Sequence, residues 1–93
     1  MRAVIEIDYR LSLGESGRSQ IKEHQHIVLT TDLPAEKLTV GDVGTVVHVY
    51  HGGAAFEMEF STLTGETVAI VSLERTQLRS VDHREVTHAR RVA

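Results

Sequence analysis

Six histidines carry the most open chemistry in this chain, because a neutral imidazole ligates metals and titrates near neutral pH. His24 and His26 stand two apart. On a strand that spacing turns both to one face with Val28, which supplies two ligands for zinc or nickel. A third would have to come from His48, His51, His83 or His88 by folding, and no spacing in the chain brings it, so histidines exposed on a strand are the simpler reading and no metal or other cofactor is expected. The run His83-Arg84-Glu85-Val86-Thr87-His88 has the residue types of a zinc-protease helix but not its spacing, which needs two histidines four apart with the glutamate directly after the first. Five apart, they are rotated by about 140° on a helix and lie on opposite faces of a strand.

Other reactive residue types are just as dispersed. Ser12, Ser16, Ser19, Ser61, Ser72 and Ser80 lack the Gly-x-Ser-x-Gly elbow that exposes a nucleophile, and most fall at strand ends or turns. Glu57 and Glu59 share one strand face, the arrangement of a glycosidase carboxylate pair, but a domain this small has little room for a deep cleft and a solvated face explains them better. There is no cysteine, which removes disulfides, thiolate metal sites and a cysteine nucleophile. No enzymatic activity is expected.

Arg75, Arg79, Arg84, Arg90 and Arg91 concentrate at the end of the chain, where from Glu74 onward five arginines face three acids, whereas residues 1–73 hold five bases and ten acids. This asymmetry makes a nucleic-acid-binding barrel the alternative function. Against it stand the net charge of −3 and an aromatic content of 4%. Tyr9, Tyr50, Phe56 and Phe60 are the only aromatic side chains, and both phenylalanines are needed in a core, so few platforms are left for stacking bases or for lining a groove for proline-rich peptides. No run of about 18 apolar residues exists, and acids interrupt the apolar stretch of MRAVIEIDYR. A soluble, cytoplasmic protein is expected, with no membrane partner.

The elements that must position these residues are strands. Val, Ile and Thr make up 26 of the 93 residues, and branched side chains fit a pleated, half-buried surface. Residues 3–13 alternate, with Ala3, Ile5, Ile7, Tyr9, Leu11 and Leu13 on one face, and end at Gly14-Glu15-Ser16-Gly17. Further strands are expected at 24–30, 43–50, 54–61 and 67–73, followed by a 3₁₀ piece at 74–78 and a strand near 78–81. The loop 31–38 holds the only proline and is anchored by Leu33 and Leu38. The 43–73 region reads as a meander. A Gly52-Gly53 turn pairs His51 with Ala54, which places Val49 opposite Phe56, Val47 opposite Met58 and Thr45 opposite Phe60. Pairing Thr62 with Thr67 then brings Phe60, Met58 and Phe56 beside Ala69, Val71 and Leu73.

Four stretches stand out together: Leu29-Thr30-Thr31-Asp32-Leu33-Pro34, Gly41-Asp42-Val43-Gly44-Thr45-Val46-Val47-His48-Val49-Tyr50, Phe56-Glu57-Met58-Glu59-Phe60 and Gln77-Leu78-Arg79. In these the chain resembles one bacterial family of domains of unknown function, number four-nine-two-six. The resemblance covers residues 21–93 and implies a small SH3-like β-barrel without an assigned activity. The expected fold is therefore all-β, a small SH3-like barrel over 21–93 with an added N-terminal strand and turn over 1–20. Gly41 and Gly44 read as turn and bulge positions, with Asp42 accepting backbone hydrogen bonds between them.

With this register the outward face carries Val46, His48, Tyr50, Glu57, Glu59, Val68 and Ile70, too apolar for a fully solvated side. Those seven residues are the expected partner-binding set. The cover would be Ile5, Ile7, Tyr9 and Leu11 of the same chain or another subunit, making the protein a non-enzymatic interaction module that self-associates or holds a protein partner.

Overall fold

A computed structural model describes residues 21–92. The expected strand over residues 3–13 and its turn lie outside the described residues. Five strands follow: β1 (His26–Leu29), β2 (Val43–Tyr50), β3 (Ala55–Ser61), β4 (Thr67–Glu74) and β5 (Leu78–Ser80). Short 3₁₀ turns occupy Pro34–Glu36 and Arg75–Gln77. All ladders are antiparallel, and the sheet order is β4-β3-β2-β1-β5. The fold is all-β, and among the described residues no helix is long and apolar enough to cross a membrane.

β1 is shorter than its pattern suggested because His24 takes a positive φ of 73° and its amide bonds to the Val46 carbonyl at 2.7 Å, which ends the extended segment before His26. The β2–β3 turn is also longer than two residues. Tyr50 pairs with Ala55, and the Tyr50 carbonyl accepts from both Gly53 (3.0 Å) and Ala54 (3.1 Å), so His51 and Ala54 belong to a four-residue turn. Widening the turn symmetrically leaves the register beside it intact, and Val49 still faces Phe56.

Further along β2 the expected register fails. Pairing steps from His48↔Glu57 to Val46↔Met58, so Val47 is an extra residue at a bulge, and a one-residue insertion exchanges the two faces of everything beyond it. Val46 turns inward and is completely buried, while Val47 is 38% exposed. Thr45 pairs with Glu59 on the outer side instead of facing Phe60. Gly44 then lies on the inner face. It is no turn or bulge residue with a positive φ, a role that Gly41 (φ 95°) fills; a Cβ built on Gly44 would stand 2.7 Å from Cε2 of the Phe60 ring.

β4 carries a second bulge. Leu73, Val71 and Ala69 pair with Phe56, Met58 and Phe60 as the pattern requires, but the next pair is Ser61↔Thr67, not Thr62↔Thr67. Val68 is left over, half-buried and packed against the core. Both bulges therefore remove a residue from the expected outward set: Val46 and Val68 belong to the inner side.

The core joins Ile27 and Leu29 of β1, Val46, the β3 triplet Phe56, Met58 and Phe60, Leu73 of β4 and Leu78 of β5. Leu38 is buried with them and Leu33 packs against them, the two bonded to each other (Leu33 N to Leu38 O 2.9 Å, Leu38 N to Leu33 O 3.1 Å) around the first 3₁₀ turn. Residues from both edge strands thus enter one core, which a sheet reaches by twisting and curling over itself. After β5 the segment 81–92 forms neither helix nor strand.

Candidate interaction face

The outward side of β2, β3 and β4 is organised in rows set by register: Tyr50–Ala55–Glu74, His48–Glu57–Ser72 and Thr45–Glu59–Ile70. The polar side chains that β2 and β3 contribute to these rows are each held by a neighbour. The Tyr50 hydroxyl donates a short hydrogen bond to Glu57 Oε1, and the His48 ring meets Tyr50 edge-on with centroids 4.4 Å apart. His48 Nδ1 lies 3.4 Å from the Glu23 carboxylate. Glu59 Oε2 accepts from Thr67 Oγ1 at 2.7 Å, and Thr45 Oγ1 is 3.3 Å from His26 Nδ1. The bond to Glu57 holds the Tyr50 phenol above its ordinary value, with burial adding to it, because ionisation would break the bond and set a phenolate against a carboxylate.

His48, Tyr50, Glu57, Glu59 and Ile70 share this face. It is more polar than the sequence pattern suggested, since Val46 and Val68 have left it, and Ile70, 57% exposed, is the large apolar side chain among its rows. Among the described residues no helix and no further strand stacks over it. Thr45 and His26 belong to the face and were missed, because only the bulge at Val47 turns Thr45 outward.

Glu57 and Glu59 are engaged by different donors, Tyr50 and Thr67, on a sheet face and not in a cleft. The shared-face geometry for His24 and His26 does not arise, since only His26 is in β1. Among the described residues no group of three or more His, Cys, Asp or Glu side chains is placed to hold a metal ion. An open depression of about 560 Å³ lies at the hairpin end, between Ile21, Val49, Phe56, Gly53 and Arg75.

Two arginines of the basic edge are tied to carboxylates. Arg79 Nη1 and Nη2 bond both Glu85 oxygens at 2.9 and 2.6 Å, and this fork, with the Asp82 amide, holds the Glu85 carboxyl down to about 2. Arg90 bonds Asp42 through Nε (2.8 Å) and Nη2, and Nη2 also reaches the Lys37 carbonyl at 3.0 Å. The Arg90 hydrogen bond is the main cause that lowers the Asp42 carboxyl, partly opposed by its burial, with the Thr39 amide at 2.8 Å adding to the effect. The tail is thereby pinned to the turn ahead of β2, where Asp42 accepts the backbone bond its sequence position suggested.

Residues 23–80 match the family described as Domain of unknown function (DUF4926). The chain belongs to this family. The match begins just before β1 and ends with β5, so it contains the whole sheet and leaves out the tail from residue 81 and residues 1–22. No curated protein and no solved structure matches the chain.

Proposed function

We propose that this DUF4926 chain is a non-enzymatic, cytoplasmic interaction module that self-associates or holds a protein partner through the outward side of β2–β4. The observation that supports it is Ile70, exposed amid side chains already fixed by hydrogen bonds to one another (Tyr50 to Glu57, Thr67 to Glu59). Such groups lose little conformational freedom when a partner docks, and an apolar centre with a polar rim is the usual anatomy of a contact.

Ile70→Lys in the full chain is the test, with mass in solution and melting temperature both measured. The reading expects an oligomer to fall to single chains. A lower melting temperature at unchanged mass would instead point to the segment with Ile5, Ile7, Tyr9 and Leu11 as the cover, and no change in either would remove the basis of the proposal. Nucleic-acid binding by the arginine-rich end is the weaker reading, because Arg79 and Arg90 already hold Glu85 and Asp42.

A further inference from the structure

The two edges of the sheet are unlike. β5 is three residues long and carries Arg79, the short, charged form that natural sheets use to prevent unwanted pairing. β4 is eight residues long, and among the described residues nothing pairs with its outer edge. From Thr67 to Leu73 it contains no Pro, Gly, Lys or Arg. The bulge at Val68 twists one end, which leaves Ala69–Glu74 as regular edge with branched, apolar residues at its centre.

We propose that this edge binds the same edge of a second copy, antiparallel, about a two-fold axis at Val71, joining two five-stranded sheets into one. The proposal rests on the self-association reading and names its contact. Register follows from two constraints. Outward residues must meet outward residues, so only slips of two residues are allowed. Charge then decides among them. With Val68 out of the ladder, an axis at Ile70 sets Glu66 against the second copy's Leu73, and an axis at Ser72 sets Ile70 against Glu74. With the axis at Val71, Ile70 faces Ser72, Ala69 faces Leu73, and Glu66 lies next to the second copy's Arg75 at both ends. Opposite charges at the two ends of one strand make its own antiparallel copy the matching partner, and a two-fold axis closes the assembly at two chains.

The chain has no cysteine, so a single introduced thiol reports the register directly. Residues directly opposed across an antiparallel ladder have Cα atoms about 4.5–5.5 Å apart, within disulfide range. The full chain should have twice its 10.3 kDa mass in solution, and Val71→Cys, oxidised mildly, should become a covalent dimer, while Val40→Cys and Val86→Cys, both exposed, should not. Ser72→Lys, at an exposed position that the fold tolerates, should return the mass to one chain. A dimer that Glu57→Lys dissociates but Ser72→Lys does not, with Val71→Cys linking no better than the controls, would overturn the edge contact and leave the face reading standing. A native chain of single mass overturns the edge contact and, with it, self-association through the face, leaving that face only a different protein to hold. If the amides of 69–73 that point away from β3 are nevertheless protected from hydrogen exchange in that single chain, the edge is occupied from within.

Discussion

Replacing Gly44 by alanine tests the register of β2 against a side chain on the neighbouring strand. The added methyl would stand 2.7, 2.8 and 2.9 Å from Cε2, Cζ and Cδ2 of Phe60, closer than carbon atoms approach, and the ring is 2% exposed with the core around it. Overpacking of this kind costs about 1–3 kcal/mol. The opposing effect is real but smaller: Gly44 has no positive φ, so alanine also restricts the unfolded chain, which stabilises by about 0.4–1 kcal/mol. The central values, about 2 and about 0.7 kcal/mol, leave a net loss of about 1.3 kcal/mol, which lowers the melting temperature by roughly 5–10 °C for a domain of this size. Thermal unfolding followed by circular dichroism measures it. Phe60→Leu in the same chain removes Cε2 and Cζ, the two closest of the three clashing ring atoms, so the double variant should lose less than the two single losses combined, with a coupling of about 0.5–3 kcal/mol. If Gly44→Ala melts at or above the native temperature, Gly44 does not face Phe60 and the bulge at Val47 is misplaced.

The ion pairs give an acid dependence of definite sign. Glu85 is depressed from an ordinary 4.5 to about 2, so its pairing contributes fully above 4.5 and is lost as pH falls towards 2; Asp42, depressed from 3.8, behaves likewise. The protection of the amides of residues 81–92, measured against the intrinsic exchange rate at each pH, should therefore fall in acid, and Arg90→Gln should lower it for the last residues at neutral pH while the melting temperature hardly moves. An acid-insensitive tail would contradict both contacts. In a Tyr9→Phe background, the remaining phenol, Tyr50, should titrate above 10.0, and Glu57→Gln should bring it down, as read by ultraviolet absorbance.

The strands were legible where alternation and a turn agree. Val49 against Phe56 and the run Phe56–Leu73, Met58–Val71, Phe60–Ala69 follow from pattern alone. Both failures are bulges, and both lie where apolar residues are adjacent. Val46-Val47 offers two equivalent candidates for one inward position, and in Thr67-Val68-Ala69 any of three small or branched residues fits the core, so periodicity has no polar residue to pin the phase. Five of the seven outward residues could be read because Glu57 and Glu59 mark their face unambiguously, and β3 passes that phase to the rows beside it. The pinning of Arg90 by Asp42, 48 positions apart, carries no local signal at all.

β1 is held by two ladders of very different reach. Its pairing with β2 joins Ile27 to Gly44, whereas its pairing with β5 joins Ile27 to Ser80. Local pairings close quickly and distant ones late, since the loop entropy must be lost before any contact is gained. During synthesis, at about 5–20 residues per second, the meander can assemble as soon as β4 emerges, but β1 keeps one side unsatisfied until Ser80 has left the ribosome. The ladder that completes the sheet is thus the last to be made and the first that a pulling force on the chain ends would open.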